Sequence, residues 1–465
     1  MKNRENKLAL GGAFENQIEY CNEVISLNRG KYPKFYIRTL GCQMNEADSE
    51  QLMGMLIEMG YQPWDKIEEA DFIIFNTCCV RENAEQKLYG HIGELKALKS
   101  KNKDLITALC GCMMQQEHVV EKIKNSYHYI DIVFGTHNRY RLPELLHKRL
   151  TSNKRVFEIW EDNKGIAENI PVARQDKISA FVPITYGCDN FCSYCIVPYV
   201  RGREVSREAK SIRKDIEELA KEGVKEITLL GQNVNSYNST MNFPQLLHYL
   251  SDISGIERIR FMTSHPKDLS VELIEAIRDI PSLCKHIHLP LQSGSSSVLK
   301  MMNRKYTKES YLSLISLLKE EIPHISISTD IIVGFPGETE EDFLETLDTY
   351  EKVGFDFAYT FIYSKRTGTP AAIKKDQVPD DIKSERFNRL IELVNRLTEQ
   401  SNKADENKVL KVLVEGKSKT DPNYYTGRSE SNKIVNFKAD KDFTGTIVDV
   451  KIIKAHSWHI EGEIL

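Results

Sequence analysis

The chain has 465 residues, which predicts about three domains, since globular domains usually hold roughly 100–200 residues. Its 63 Lys and Arg residues against 67 Asp and Glu residues give a formal net charge of −4, which excludes a globally basic protein and confines any nucleic-acid site to a local patch. The 41% hydrophobic and 28% charged residues are typical of folded globular proteins and argue against wholesale disorder.

The sequence also indicates a compartment. No apolar run approaches the roughly 20 residues needed to span a membrane, and residues 1–30 lack the apolar segment of a signal peptide. We therefore expect a cytoplasmic protein without membrane contact. The chain has ten cysteines, and in a reducing compartment clustered cysteines indicate a metal or catalytic site rather than disulfides.

The first domain is predicted over residues 33–150, after a polar extension at 1–32 that we expect to be loosely held. Strand-like runs alternate here with helical segments, which predicts a Rossmann-like parallel α/β sheet with right-handed crossovers. The runs are KFYIRTL, DFIIFNT, DLITALCG and IDIVFGT. Residues 151–173 are polar, lack sustained periodicity and are predicted to form a connector.

Two further domains are predicted. Residues 174–404 continue the strand–helix alternation with six strand candidates, which predicts a TIM-like βα barrel, partial or full, with its chemistry at the carboxyl ends of the strands. Residues 407–465 change to short β-like runs separated by turn residues, which predicts a small all-β barrel.

Three cysteines, Cys188, Cys192 and Cys195, lie in one short loop after the first strand of the second βα unit. Three thiolates can hold three irons of a cubane cluster and leave the fourth iron open to a small molecule. The competing interpretation is structural zinc, which would require a fourth Cys or His that the loop does not provide.

Three cysteines of the first domain, Cys42, Cys78 and Cys112, each follow an apolar run. Because the carboxyl ends of parallel strands share one edge of the sheet, these residues are expected to meet in one crevice. A second cluster with an open iron is one interpretation. Three buried free thiols, which are common in protein cores, are the other.

Other strand ends of the predicted barrel carry small or polar residues. Gly231 and Gln232 follow the second strand, Gln292 and Ser293 follow the fourth, and Asp330 lies on the fifth. Because all of them share the strand-end position, they predict a cofactor pocket, with glycine allowing close backbone approach to a ligand.

The C-x3-C-x2-C loop after the first strand of a βα barrel resembles that of the radical S-adenosylmethionine superfamily. The resemblance implies that Cys188, Cys192 and Cys195 hold a catalytic 4Fe–4S cluster whose open iron binds S-adenosylmethionine. It further implies one-electron cleavage of that cofactor to a radical that removes hydrogen from an unactivated C–H bond. Tyr194 would then lie near the adenine, and core packing is an equally good interpretation of its ring.

Longer segments resemble the methylthiotransferase family, and most closely its MiaB subfamily. TLGCQMNEADSEQL, FNTCCVRENAEQK and CGCMMQQ match the amino-terminal domain, TYGCDNFCSYCIVPYVRGREVSR matches the radical loop, and the C-terminal module resembles a TRAM domain, an RNA-binding barrel. The resemblance implies an auxiliary 4Fe–4S cluster on Cys42, Cys78 and Cys112, and therefore two clusters in all. Cys79 and Cys110 are neighbouring thiols, and the register of the motifs assigns the ligand positions to Cys78 and Cys112 instead.

The reaction that the resemblance implies adds a methylthio group to carbon 2 of an N6-dimethylallyladenosine beside the anticodon of a tRNA. An unpaired loop base can be splayed out into a pocket. The implied partners are a tRNA anticodon stem-loop and an electron donor such as a flavodoxin or ferredoxin, and the expected state is a monomer. RNA contacts are expected at basic residues near the radical loop and the barrel mouth: Arg201, Arg203, Arg207, Arg304, Lys305, Lys365 and Arg366.

Three alternative functions stay open on the sequence. Two keep the chemistry and change the substrate, to a threonylcarbamoyl-adenosine in tRNA or to a ribosomal-protein aspartate. The third is an RNA-binding iron–sulfur protein without catalysis. Such a protein would show the absorbance of an iron–sulfur cluster but would form no 5′-deoxyadenosine when reduced with S-adenosylmethionine.

Overall fold

The structure of the protein is a computed structural model, which describes residues 14–79, 82–161, 165–174, 176–419 and 421–465. Two α/β units and a small β-barrel follow one another along the chain, as the sequence predicts. No helix in these described ranges is long and apolar enough to cross a membrane.

The first unit is a six-stranded parallel sheet with helices on both faces. Its strands are β1 (Lys34–Thr39), β2 (Gln62–Pro63), β3 (Phe72–Thr77), β4 (Ile106–Gly111), β5 (Ile132–Phe134) and β6 (Val156–Glu158), in the order β2-β1-β3-β4-β5-β6. Its helices are α1 (Ile18–Leu27), α2 (Gln43–Glu58), α3 (Glu82–Lys101), α4 (Glu117–Ser126) and α5 (Leu142–Ser152). Every residue of β3 and β4 is buried, as expected for central strands covered on both faces.

Two predictions about this unit are wrong. Part of the extension that was expected to be loose forms α1, whose Cys21 and Val24 are buried in the core that α5 shares; residues 1–13 lie outside the described residues. Part of the predicted connector forms β6, which pairs with β5. Both elements are short, and their structure depends on packing against partners elsewhere in the chain.

The second unit is an open βα barrel. Its strands are β7 (Ser179–Pro183), β8 (Thr185–Tyr186), β9 (Val205–Ser206), β10 (Glu226–Leu230), β11 (Arg258–Phe261), β12 (His286–His288), β13 (Ser326–Val333) and β14 (Phe357–Ile362). The helices are α6 (Val197–Arg201), α7 (Ala209–Lys221), α8 (Phe243–Leu250), α9 (Val271–Asp279), α10 (Ser296–Met301), α11 (Lys308–Glu321), α12 (Glu340–Val353) and α13 (Asp380–Lys403).

Two parallel sheets, β11-β10-β7 and β12-β13-β14, form the wall of this barrel, and β8 pairs with β9. A parallel bridge between Ile259 and Leu283 connects β11 to the segment that precedes β12. Within the described chain, β7 and β14 end the two sheets without pairing to each other, so the TIM-like fold is present in its partial form.

The C-terminal unit is a closed five-stranded barrel of β15 (Val409–Lys417), β16 (Tyr424–Ser429), β17 (Ile434–Lys438), β18 (Ile447–Ala455) and β19 (Ile460–Ile464). It docks on the βα barrel through two buried arginines of β11. Arg258 donates hydrogen bonds to the carbonyls of Lys411 and Arg428, and Arg260 donates to those of Ser429 and Glu430. The carboxylate of Glu226 balances this charge at 2.9 Å from Arg260 Nε.

The first unit docks against the opposite end of the βα barrel. Met44 and Ala47 of α2 pack with Tyr186 and Leu230. Tyr186 ends β8 and Leu230 ends β10, both on the β7 side of the barrel. The carboxyl edge of the six-stranded sheet therefore faces the carboxyl ends of the barrel strands, and this junction contains the cysteines.

Candidate active site at the domain junction

The structure brings Cys42, Cys78 and Cys112 to one edge of the first sheet, at the ends of the adjacent strands β1, β3 and β4. The Oδ1 atom of Asn45 accepts hydrogen bonds from the Sγ atoms of Cys42 at 3.8 Å and Cys112 at 3.9 Å. A Cβ on Gly41 would lie 2.7 Å from Cβ of Cys78, so glycine there allows Cys78 to approach the loop that carries Cys42. The three cysteines thus lie at one edge of the sheet.

A fourth thiol belongs to this group. Cys79 hydrogen-bonds to Cys112, and this bond, followed by the charge of Arg201, lowers the pKa of Cys112 to about 6. Cys79 is the partner that keeps its proton, so its pKa is raised well above the usual value. Cys110 lies within β4, and burial raises the pKa of its thiol.

Arg201 connects the two units at this point. It ends α6, the helix that follows the radical loop, and is buried between the domains. Its Nε donates to Sγ of Cys112 at 3.1 Å, and its Nη2 donates to Oδ1 of Asn45 at 2.9 Å and to Oδ2 of Asp48 at 2.8 Å. One side chain of the barrel thus contacts the thiol, the amide and a carboxylate of the other domain.

The radical loop places Cys188, Cys192 and Cys195 close together near the barrel mouth. Nη1 of Arg304 donates to Sγ of Cys192 at 3.4 Å, and Nδ2 of Asn190 donates to Sγ of Cys188 at 3.4 Å. Burial, followed by the charges of the neighbouring thiols, raises the pKa of Cys195 to about 12. Burial likewise raises the pKa of Cys188 to about 11.

The carboxyl ends of the barrel strands carry buried polar atoms without a hydrogen-bond partner among the described residues. They are Oγ1 of Thr185, Oε1 of Gln232, Oδ1 of Asn233 and Oγ of Ser264. A buried polar atom is costly to leave unpaired, so such a row indicates a polar ligand. Gly231 lies among them, where a Cβ would come within 2.0 Å of Oγ1 of Thr185.

Two non-glycine residues at these strand ends adopt left-handed backbone conformations, Thr263 with φ of 70° and Gln292 with φ of 69°. Strained backbone of this kind is concentrated at functional sites. The backbone of Gln292 is held by Asp330, whose carbonyl accepts from its N–H at 2.8 Å. The carboxylate of Asp330 lies 3.4 Å from Nε2 of His288.

Two predicted cofactor residues have other contacts in the structure. The hydroxyl of Ser293 hydrogen-bonds to Thr346 of α12 at 3.2 Å, which favours a structural role. The ring of Tyr194 packs edge-on against Phe335 at a centroid distance of 6.5 Å, in a small apolar cluster beside the barrel mouth. The position of Tyr194 near the adenine of S-adenosylmethionine stays a prediction.

Three of the basic residues expected to contact RNA are buried, so this prediction is wrong for them: Arg201, Arg207 and Arg304. Arg207 donates to the carboxylate of Glu168 at 3.0 Å and to that of Asp215 at 2.8 Å. Glu168 lies 39 positions away in the sequence and Asp215 lies 8 positions away on α7, so no local motif indicates either pairing. Arg203, Lys305 and Lys365 are exposed.

Three family models match the chain. The Radical SAM superfamily matches residues 182–350, the uncharacterized protein family UPF0004 matches 34–135, and the TRAM domain matches 403–465.

Curated proteins match over nearly the full length. The chain is 54% identical to the tRNA-2-methylthio-N(6)-dimethylallyladenosine synthase of Acetivibrio thermocellus, over 97% of this chain and 95% of that protein. It is 57% identical to the synthase of the same name from Clostridium tetani, over 92% of this chain and 96% of that protein.

Solved structures share the fold. The radical S-adenosylmethionine methyltransferase TsrM from Kitasatospora setae, with cobalamin and a 4Fe–4S cluster bound, gives a TM-score of 0.55 at 15% identity, over 74% of this chain and 77% of that one. The cobalamin-dependent S-adenosylmethionine radical enzyme OxsB gives a TM-score of 0.50 at 14% identity, over 78% of this chain and 56% of that one. At these identities the likeness concerns the fold alone.

Proposed function

The chain belongs to the family of tRNA-2-methylthio-N(6)-dimethylallyladenosine synthases, and from this membership we propose how its own residues carry out the reaction. It is a radical S-adenosylmethionine methylthiotransferase that acts on tRNA. The product is a 2-methylthio derivative of N6-dimethylallyladenosine, and the proposed position of that nucleoside is beside the anticodon.

The family implies S-adenosylmethionine and a 4Fe–4S cluster, and the radical loop fits the cluster. Burial is the main cause that raises the pKa of Cys188 to about 11 and that of Cys195 to about 12, so the thiolate forms of these two residues need a cation nearby, which bound iron would provide. When bound, the cluster and cofactor supply the one-electron chemistry needed to activate carbon 2 of an adenine, whose hydrogen acids and bases do not usefully remove. The unpaired polar atoms of Gln232, Asn233 and Ser264 are the proposed cofactor contacts.

A second cluster is proposed on Cys42, Cys78 and Cys112, with the transferred sulfur presented at this cluster. The supporting observation is that Arg201, six positions after Cys195 in the sequence, donates to Sγ of Cys112 at 3.1 Å. The two three-cysteine groups therefore belong to one junction. Asn45 orients the thiols of Cys42 and Cys112, and Arg201 stabilises negative charge on the thiol of Cys112.

The proposal also covers the bound part of the tRNA, the reductant, the oligomeric state and the location. The anticodon stem-loop is the proposed part of the tRNA that is bound, and a flavodoxin or ferredoxin is the proposed reductant. A monomer in the cytoplasm is the proposed state and location, and the tRNA substrate supports the location.

The test is anaerobic reconstitution with iron and sulfide, followed by incubation with S-adenosylmethionine, a reductant and a stem-loop RNA that carries N6-dimethylallyladenosine. Mass spectrometry is expected to show one added methylthio group on that nucleoside. A stem-loop with threonylcarbamoyl-adenosine and a ribosomal-protein peptide serve as competing substrates. Modification of either in preference to the dimethylallyl RNA, or cluster reduction without any 5′-deoxyadenosine, would contradict the proposal.

A further inference from the structure

A row of aromatic side chains lies on the inner face of β14. Phe357, Tyr359 and Phe361 alternate with Ala358, which packs into the helix-side core, so the three rings share the opposite face of the strand. The register with β13 pairs Tyr359 with Asp330 and Phe361 with Ile332, residues that also point into the barrel. Tyr359 and Phe361 are 44% and 45% exposed.

A fourth ring extends this row onto the C-terminal barrel. Trp458, in the turn between β18 and β19, is 63% exposed and lies 5.6 Å from the ring of Phe357. The ring of Phe357 in turn lies 4.9 Å from that of Tyr359. We call Trp458, Phe357, Tyr359 and Phe361 the aromatic track; it runs from the C-terminal barrel to the mouth of the βα barrel.

The track lies where a large ligand has access. In the described chain β14 pairs on one side only, with β13, and so borders the opening in the barrel wall. Its helix-side face is covered by α13, whose Leu390, Leu393 and Val394 join the core. Core packing therefore accounts for Ala358 but not for the exposed rings, and exposed aromatic surface of this size on a soluble domain marks a binding site.

We propose that the aromatic track stacks unpaired bases of the RNA substrate along the open edge of the barrel. The inference rests on the proposed function, because it presupposes an RNA with an unpaired loop. Aromatic rings are sequence-tolerant platforms for bases, and RNA loops expose bases that duplexes hide.

Two observations favour RNA over an apolar peptide. The track begins on the TRAM domain, the module associated with RNA, and ends beside the barrel mouth where the target base must enter. Exposed lysines are close in sequence to both ends of the track: Lys451 and Lys454 on β18, before Trp458, and Lys365 three residues after β14. Lysines at these places can neutralise phosphates while the rings hold the bases.

The experiment measures binding of a fluorescently labelled stem-loop, with 2-aminopurine in its loop, to the full chain without S-adenosylmethionine. Trp458→Ala and Tyr359→Ala are expected to raise the dissociation constant roughly 5- to 100-fold each and to restore part of the 2-aminopurine emission that stacking quenches. Trp458→Phe, which keeps a ring, is expected to restore most of the affinity. The slope of affinity against salt is expected to stay unchanged, because the phosphate contacts are intact.

Ile373→Ala is the matched control, since that side chain is 84% exposed and lies outside the track. A fully paired duplex of equal length is the RNA control, and its affinity is expected to be the same for all variants. The inference is overturned if Trp458→Ala and Tyr359→Ala bind the loop as tightly, and quench 2-aminopurine as strongly, as the unsubstituted protein. It is also overturned if these variants lose S-adenosylmethionine binding while their RNA affinity stays unchanged. Failure of the proposed function is a separate result, because it shows as tight loop binding without methylthio product.

Discussion

The guanidinium of Arg201 contacts a thiol, an amide and a carboxylate of the neighbouring domain, a set that lysine cannot reproduce with one ammonium group. Arg201→Lys keeps the charge opposite Asp48 but loses part of the donor geometry at Cys112. We expect the variant to fold and to cleave S-adenosylmethionine, with methylthio product reduced about 10- to 100-fold, the usual effect of losing such an outer contact. Liquid chromatography with mass spectrometry measures both products.

Arg396→Lys is the control for this substitution, because the side chain of Arg396 is 55% exposed and pairs with Glu351 at the surface. It is expected to leave both products unchanged. Equal loss of S-adenosylmethionine cleavage and methylthio transfer in Arg201→Lys would show that Arg201 acts on the fold or on the radical loop instead.

Gly231 tests the cofactor pocket at single-residue scale. A Cβ at this position would come within 2.0 Å of Oγ1 of Thr185, so Gly231→Ala must displace one of the polar strand ends. We expect weaker binding of S-adenosylmethionine, measured by equilibrium dialysis on reconstituted protein, with iron content unchanged. Gly90→Ala, where the Cβ meets nothing within 4 Å, is the control and is expected to bind normally, with a gain in stability of up to about 1 kcal/mol from helix propensity.

Glu50 gives a pH-dependent prediction. Burial raises the pKa of this carboxyl to about 7 from 4.5, and the charge of Arg174 opposes the rise only in part. A carboxyl whose pKa is raised in the folded state favours folding below the unfolded value and loses that contribution as pH rises from 4.5 to 7. Glu50→Gln is therefore expected to stabilise the protein by about 2 kcal/mol at pH 8 and to change little at pH 4.5. Thermal unfolding at both pH values checks this, and equal effects would contradict it.

At the scale of elements, β11 holds the C-terminal barrel in place. The guanidinium of Arg260 is buried, donates to two carbonyls of that barrel and pairs with Glu226. Arg260→Met removes these bonds and leaves the carboxylate of Glu226 with less compensation, which is expected to cost about 3 kcal/mol. We expect faster proteolysis between α13 and β15, observed by mass spectrometry of the fragments.

Arg278→Met is the control for Arg260, since Arg278 pairs with Asp279 and Glu321 on the surface, where ion pairs contribute little. It is expected to leave the proteolysis rate unchanged. If Arg260→Met is cleaved at the same rate as the unsubstituted protein, the docking depends instead on the contacts of α13 with the C-terminal barrel.

Elements with strong patterns were predictable from the sequence, and short ones were not. The six barrel strands and the strands that precede Cys42, Cys78 and Cys112 have strand-like sequences bounded by turn residues, and the structure has each of them. The helix α1 and strand β6 were missed because each buries only a few side chains, whose role depends on partners far along the chain.

At the scale of the whole molecule, the position of the two cysteine groups follows from one rule. Parallel strands place their carboxyl ends at one edge, and two such edges face each other when α2 docks on the β7 side of the barrel. The docking itself was not predictable, because it depends on buried pairs such as Arg201 with Asp48, which join residues 153 positions apart. The same long-range pairs explain why arginines expected to bind RNA are buried instead.

The most direct test of the account is an iron count by Mössbauer spectroscopy on anaerobically reconstituted protein, for the native sequence and for the triple variant Cys42→Ala, Cys78→Ala, Cys112→Ala. We predict roughly eight irons in the native protein and about four in the variant, as two cubane clusters require. The variant is expected to release 5′-deoxyadenosine but to form no methylthio product. A variant that retains all its iron, or that still transfers the methylthio group, would contradict the account.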